Sequence, residues 1–440
     1  MKNSKLLLGA LLGLGFFSVT AQELSVDAMI RPRFEYRHGF QDVVPEDTEG
    51  SAFVSQRSSL LTKYSDEKMT VFLDIQSVNT WGDRPQLSPT DNTTNGGLRM
   101  NQAWAQIGLG KGWATKVGRQ VISYDDQRIL GGLGWADQQR THDAALLKYG
   151  KDGFKMDLGF AFNQNGPGNF NNLYTPGTPA TPVFQYKGMQ YAHLNNKFSD
   201  KFSGSFLFIN NQFSDLIDGE GFISRQTTGV YGKYKEGKFG MDFSGYYQFG
   251  EFVEGTDISA YDAAVNLTYK PGKTLFGLGV EVLSGNDTST DEQEAFFPLY
   301  GTNHKFNGFQ DFFYVGRHAN NGGLVDVNAK AVIKTGEKSK LLAKAHYFST
   351  AGSDDYTFVH PVSQATTGET YTGYLGTELD LVYIQKINAY SNIKIGYSQS
   401  FLDGDFADAR ALGTAADTQN WGWVMLTIKP NLFKYTKTAE

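Results

Sequence analysis

Residues 154–163 read Phe-Lys-Met-Asp-Leu-Gly-Phe-Ala-Phe-Asn. Phe154, Met156, Leu158, Phe160 and Phe162 share one parity, and Lys155, Asp157, Gly159, Ala161 and Asn163 share the other. A period of two puts each set on its own face of a β-strand, one greasy and one polar. The run is as long as the roughly 9–11 residues that a tilted strand needs to cross a bilayer. Residues 241–249 repeat the pattern, with Met241, Phe243, Tyr247 and Phe249 against Asp242, Ser244, Tyr246 and Gln248. So do residues 325–334, where Val325, Val327, Ala329, Ala331 and Ile333 oppose Asp326, Asn328, Lys330 and Lys334.

Working outward, the same reading predicts strands over 24–37, 51–64, 67–80, 98–109, 113–122, 140–149, 154–163, 186–198, 201–212, 222–235, 238–249, 258–270, 273–284, 322–334, 339–350, 372–386, 389–400 and 419–430, eighteen in all. Residues 308–315 are also strand-like but fall inside a long connection. The connections alternate strictly between short and long, as in a meander with tight periplasmic turns and longer extracellular loops. Ser65-Asp66, Gly110-Lys111-Gly112, Asp152-Gly153, Ser199-Asp200, Glu236-Gly237 and Pro271-Gly272 carry the turn chemistry of the short ones. The long ones hold Pro, Asn and Gly clusters such as Asn163 to Pro182. An even strand number brings both ends of the sheet to the periplasmic side. Backbone groups in a bilayer need internal partners, and only a closed barrel supplies them without leaving an edge. The expected fold is therefore all-β, a transmembrane antiparallel up-and-down β-barrel of about eighteen strands, formed as one domain by residues 22–440.

The first residues agree with export. Lys2 and Lys5 precede the apolar run Leu6 to Val19, and Val19-Thr20-Ala21 supplies small residues before Gln22. This is the pattern of a cleaved signal peptide over 1–21, and the run is shorter than the roughly 20 apolar residues of a membrane anchor. No later segment approaches that length, which excludes a helical inner-membrane protein. The chain has no cysteine, hence no lipoprotein anchor, disulfide framework or thiolate chemistry. Its 33 Phe, 23 Tyr and 50 Gly coexist with a mean hydropathy of −0.38, as two-faced strands require. A formal net charge of −6 with no basic tract gives nucleic acid nothing to bind. The expected location is the outer membrane of a Gram-negative cell, in contact with lipid and lipopolysaccharide and inserted by the outer-membrane assembly machinery.

The first strand carries the most informative polar face. Arg31, Arg33, Glu35 and Arg37 alternate with Ile30, Pro32, Phe34 and Tyr36. An arginine facing lipid at mid-membrane costs about 2–4 kcal/mol, so this row is expected to face the lumen. Arg57, on a face with Ser59, Leu61 and Lys63, joins it. Farther on, Gly118-Arg119-Gln120 runs into Tyr124-Asp125-Asp126-Gln127-Arg128, and Arg140 with Asp143 opens the next strand. Two roles fit these residues. Fixed guanidinium forks in a narrow tube attract and orient carboxylates, and the same forks can pair with Glu35, Asp74, Asp125, Asp126 and Asp143 to hold the wall together.

These segments resemble the alginate export family of outer-membrane channels. The resemblance rests on Arg31-Pro-Arg33-Phe-Glu35, Arg57-Ser-Ser-Leu60, Gly118-Arg119-Gln120 with Tyr124-Asp125-Asp126-Gln127-Arg128, Arg140-Thr-His-Asp143, Phe297-Pro-Leu-Tyr300, His304-Lys305-Phe306 and Gly308-Phe-Gln-Asp311. It implies an eighteen-stranded, monomeric barrel. It also implies an arginine-rich constriction passing an anionic polysaccharide, such as alginate or its oligouronates, by diffusion. Arg31, Arg33, Glu35, Arg37, Arg57, Arg119, Arg128, Arg140 and Asp143 are the candidate substrate-binding residues. No cofactor, catalytic or metal site is expected, and the acidic stretch Asp287 to Glu294 reads as a solvated loop.

Three other readings remain open. A general or sugar-specific uptake porin differs only in selectivity. A binding protein would use the barrel as a platform for its loops and lack conductance, although the first strand starts too soon for a separate plug domain to precede it. In that sense the long loops, 163–182 or 284–323, would narrow the opening. An outer-membrane hydrolase finds no Gly-x-Ser-x-Gly elbow, and its histidines read as lumen hydrogen-bonders.

Overall fold

The computed structural model describes residues 22–83, 97–167, 186–214, 221–253, 255–286, 290–313, 322–352, 356–359, 366–371 and 373–437. The expected signal peptide lies outside them. The strands are β1 (Gln22–His38), β2 (Ser51–Ser65), β3 (Met69–Thr80), β4 (Arg99–Gly110), β5 (Trp113–Gln120), β6 (His142–Lys151), β7 (Phe154–Phe162), β8 (Gly188–Lys197), β9 (Phe202–Ser214), β10 (Phe222–Glu236), β11 (Phe239–Val253), β12 (Thr256–Tyr269), β13 (Thr274–Leu283), β14 (Leu324–Lys334), β15 (Ser339–Ser349), β16 (Tyr356–Val359), β17 (Thr366–Tyr371), β18 (Tyr374–Lys386), β19 (Ser391–Leu402), β20 (Gln419–Ile428) and β21 (Asn431–Lys437). One short helix, α1 (Gly404–Ala411), precedes β20.

With the β16–β17 hairpin set aside, consecutive strands from β1 to β20 pair antiparallel. The sheet closes where β1 pairs with both β20 and β21. These two are one strand interrupted at Lys429 and Pro430, so the barrel has eighteen strands. Proline has no N–H for the ladder, and the register shifts just beyond it at Leu432, where Asp27 faces Asn431 but Val26 faces Phe433. The last strand therefore runs past the expected end at 430 to Lys437. The other boundaries lie close to their expected positions.

Two features depart from the expected meander. The connection from β11 to β12 is as short as a periplasmic turn, Val253 to Thr256, although it lies at the long-loop end. Between β15 and β18, β16 and β17 pair as a hairpin of their own, outside the barrel sheet. Residues 308–313 form no strand and lie within the barrel. At the tight end, Asp152 and Gly153 both have positive φ (49° and 90°), the two-residue hairpin geometry that Asp-Gly favours.

The alternation is realised in space. On β7, Leu158, Phe160 and Phe162 are exposed outward while Asp157, Gly159 and Ala161 are buried inward. On β1, Ile30, Phe34 and Tyr36 are 45%, 44% and 41% exposed, against 4%, 4% and 0% for Arg31, Arg33 and Glu35. A band of exposed apolar side chains round a closed sheet is a lipid-facing surface. At its short-turn margin aromatic rings pair across neighbouring strands, Trp113 with Tyr149 at 4.8 Å and Phe239 with Tyr269 at 4.7 Å. Such a girdle belongs at the headgroup level.

Candidate functional site

The extracellular half of the lumen is filled by the chain's own loops. Residues 121–141, between β5 and β6, and residues 290–313, before β14, turn inward and join. Gly131 N–H donates to Tyr300 O and Tyr300 N–H to Ile129 O (both 2.9 Å), and Thr302 N–H donates to Gln127 O (2.8 Å). Ile129, Leu130, Phe297, Leu299, Tyr300 and Phe312 are buried in one apolar cluster with wall residues such as Leu146, Met189, Ile209 and Phe348. The expectation that a long loop before β14 narrows the opening fits 290–313. The loop 121–141 takes this role without any sign of it in the sequence pattern, and most of 163–182 lies outside the described residues. The joined loops act as a plug despite the early start of β1. Non-glycine residues with positive φ gather in it, namely Asp125, Gln127, Leu133, Leu299, Asn307 and Asp311. Such strained backbone persists only where the surroundings over-determine it.

The arginines hold this plug. From β1, Arg31 donates to the carbonyls of Gly134 (2.7 Å), Trp135 (3.0 Å) and Ala136 (2.6 Å). Arg33 reaches Trp135 O (2.9 Å) and the Asp137 carboxylate (3.2 Å), with its guanidinium 4.6 Å from the Trp135 ring centre. Arg57, on β2, donates to Gly134 O (3.3 Å). Glu35 accepts from Arg33 (2.8 Å), Arg37 (2.9 Å) and the Trp421 indole (3.0 Å). Across the lumen, the buried Arg128 of the plug contacts Asp262 on β12 (3.2 Å), Glu281 on β13 (2.7 Å) and Asn307 (3.0 Å). Arg140 donates to Gly301 O (2.8 Å), tying one loop to the other.

Wall carboxylates clasp the second loop. Glu378 accepts from the backbone N–H groups of Phe309 and Gln310. Gly308 approaches that carboxylate so closely, at φ 84°, that no Cβ fits. Asn307 donates to Glu281 (2.7 Å) and Asp326 (3.2 Å). In the inward loops, burial pulls the Arg128 guanidinium down, but Glu281 and Asp262 outweigh it and hold it above its ordinary value. Burial raises the Asp126 carboxyl, against the pull of Lys305, and lowers the Lys305 ammonium, against the pull of Asp126.

Arg119 and Asp143 require a correction. They sit opposite each other in the β5–β6 register and form a 2.7 Å ion pair. Their faces are those of Val117, Ala145 and Leu147, all outward, and their side chains are 47% and 49% exposed. Inward positions on β5 are Lys116, Gly118 and the fully buried Gln120. Gly118 itself takes φ 114°, and a Cβ there would strike the carbonyl oxygen of Ala103. Arg119 and Asp143 therefore stand apart from the lumen set.

Four of the described histidines bond within the plug and wall. His193 meets Asp125 (3.2 Å), His304 meets Asp311 (2.9 Å), His346 meets Asp326 (2.8 Å) and His142 meets the Tyr186 hydroxyl (2.7 Å). Among the described residues, no group of three or more His, Asp or Glu side chains is arranged to hold a metal ion. Asp287 lies outside the described residues.

Lysine, rather than arginine, lines the lumen toward the short turns, and sequence reading missed it. Lys330 on β14, Lys340 and Lys344 on β15 and Lys394 on β19 share parity with the buried, inward Asp326, His346 and Ser398. Lys340 and Lys394, with Lys334 and Lys386, line an open cavity of about 1180 Å³, whereas Lys330 and Lys344 line a smaller one of about 280 Å³ together with Asp125, Asp126, Asp242, Glu281 and Asp326. Parity would have revealed them, since Lys330 was already assigned to the polar face of its strand.

The sequence matches the alginate export family model over residues 22–419. No curated protein matches it. Among solved structures, OprD from Pseudomonas aeruginosa is similar at a TM-score of 0.60 and 14% identity, with 95% of each chain covered. OccK2 (OpdF) of the same organism, solved in complex with glucuronate, gives 0.60 and 10%, covering 93% of this chain and 97% of its own. OccAB4 of Acinetobacter baumannii gives 0.59 and 12%, covering 94% and 98%. At these identities the likeness speaks for the fold alone. The lipid-facing band, the eighteen-strand closure and the family match over nearly all of the described barrel agree: this chain belongs to the alginate export family, as an outer-membrane channel and not an enzyme.

Proposed function

We propose that the channel passes an anionic polysaccharide, such as alginate or its oligouronates, by diffusion. The observation that carries this reading is the open chamber at the short-turn end of the lumen, where Lys334, Lys340, Lys386 and Lys394 stand among eight lysines with Glu337 as the one carboxylate among the described residues. A cleft lined by one sign of charge concentrates the opposite ion, and mobile ammonium groups attract carboxylates without fixing them. Family membership and the glucuronate found with OccK2 support the same class of solute. In this reading Arg31, Arg33, Glu35, Arg37, Arg57, Arg128 and Arg140 shape the constriction by holding the plug, and Arg119 with Asp143 take no part in passage. The chain works as a monomer, delivered by a signal over residues 1–21 and inserted by the assembly machinery.

The test is the reversal potential of the purified protein in a planar bilayer under a salt gradient, followed by titration with oligouronates. Anion preference and block by uronates are expected. Replacing Lys334, Lys340 and Lys394 by Glu is expected to shift the anion-to-cation permeability ratio toward cations on the order of tenfold, in a barrel that remains heat-modifiable. Cation preference of the unaltered protein, or indifference to uronates, overturns the polyuronate reading. The apolar packing of the plug favours a second reading, the loop platform, which predicts no conductance at all.

A further inference from the structure

The β1–β2 register sets Arg31 directly opposite Arg57, with Arg33 two residues along. Like charges facing each other across a sheet destabilise it, so something else must hold them there. All three side chains are buried, yet Asp137 is the one carboxylate they share on the plug, 3.2 Å from Arg33 and 3.7 Å from Arg31. Their other plug acceptors are neutral carbonyls, at Gly134, Trp135 and Ala136. Arg31 Nε and Arg57 Nε and Nη1 are buried without a hydrogen-bond partner. Glu35 offsets part of the charge through Arg33, and Asp74 lies near Arg57, yet these three donors stay unfilled, and hydrogen bonds to a carboxylate are roughly twice as strong as those to a neutral acceptor.

The segment that occupies the cluster is a projecting tip on a narrow neck. Its neck is closed by Arg140 N–H to Gly132 O (3.1 Å), and Leu133 N–H bonds Thr302 Oγ1 (3.2 Å). Residues 134–139 project beyond that neck, and Gly134 has open space where a side chain would stand. A swing of the segment leaves Ile129, Leu130 and Tyr300 in place behind it, but it must part the Trp135 ring from His304 (5.1 Å) and Trp423 (4.4 Å) and Gln139 from Asn101 (2.7 Å).

We propose that Asp137 and the carbonyl edge of residues 134–136 form an internal competitor for the solute. They sit on Arg31, Arg33 and Arg57 as a uronate carboxylate would, and an arriving carboxylated sugar displaces them, so that the solute opens its own constriction. This rests on the solute being anionic, as proposed above. A ligand shifts such an equilibrium only through its preference for one state, and the unfilled donors of Arg31 and Arg57 supply that preference.

Asp137→Asn tests it, combined with a reporter cysteine introduced by Ala136→Cys into a chain that has none of its own. Labelling by a membrane-impermeant maleimide is expected to be slow in the otherwise unaltered protein and about tenfold faster in the Asp137→Asn background, the effect of about 1.4 kcal/mol on an equilibrium. Oligouronate is expected to speed labelling of the Asp137 protein, and Asp137→Glu to restore slow labelling. Chloride current through Asp137→Asn, without uronate, is expected to rise in parallel. Equal labelling and current in both backgrounds overturn the latch, even if uronates block the current and the polyuronate channel stands. If uronates neither block nor speed labelling while Asp137→Asn does, the latch holds and the polyuronate reading falls.

Discussion

Arg128→Met is expected to lower the stability of the plugged barrel by about 3–5 kcal/mol, the range seen when one partner of a buried ion pair is removed. Arg128 is enclosed by Asp262, Glu281 and Asn307, drawn from two wall strands and the second inward loop. Methionine fills much of the volume but leaves two buried carboxylates facing an apolar side chain. The loss is expected as a lower urea midpoint in detergent or vesicles and as faster protease cleavage within 121–141, while the barrel keeps its heat-modifiable mobility. Neutralising the stranded acids with Asp262→Asn and Glu281→Gln in the same chain is expected to restore most of the stability, because replacing a whole buried ion cluster costs far less than breaking it. An unchanged midpoint for the single variant would mean that the apolar packing of Tyr300 and Phe312, rather than the ion cluster, holds the plug.

Arg128 also marks where sequence reading stops. A lipid bilayer on one side and a polar lumen on the other impose the same period on every strand, so the wall is written locally, residue by residue. The lumen orientation of Arg31, Arg33 and Glu35 follows from their parity being opposite to that of Phe34 and Tyr36. Their partners do not follow: Arg31 bonds residues more than a hundred positions away, and Arg128 reaches 134 residues to Asp262 and 179 to Asn307. No periodicity encodes such contacts. What the chain does show is an apolar run, Phe296-Phe297-Pro298-Leu299-Tyr300, in a stretch otherwise polar enough for solvent. A loop that rich in large apolar groups needs a place to bury them, and the lumen is that place.

Arg119 failed for a different reason. Grouped with Gly118 and Gln120 as a motif, it was carried into the lumen along with them, whereas two-residue counting from Val117 puts it outside. The same counting from Asp326 puts Lys330 inside, where a motif of arginines had drawn attention elsewhere. The difference matters to mechanism. Arginine forks sit where the plug meets the wall, and lysines line the open chamber toward the short turns.

Leu158→Arg is expected to have the reverse profile to every lumen substitution. Leu158 lies at the middle of β7 with its side chain outward, 40% exposed, between Met156 and Phe160 on the lipid face. A guanidinium there meets hydrocarbon, at a cost of about 2–4 kcal/mol at the bilayer midplane. Neither neighbouring strand offers relief, since the residues directly opposite are Leu147 on β6 and Ala192 on β8. Assembly into vesicles is expected to fall sharply, read as loss of the heat-modifiable band, and the fraction that does insert should unfold at lower urea. Asn195→Arg makes the control: it adds the same side chain on the adjoining β8 beside the lumen cavity that also touches Asp157, and it should assemble normally. Normal assembly of both variants would place Leu158 away from lipid, and the facing of β7, from which the barrel reading began, would have to be reversed.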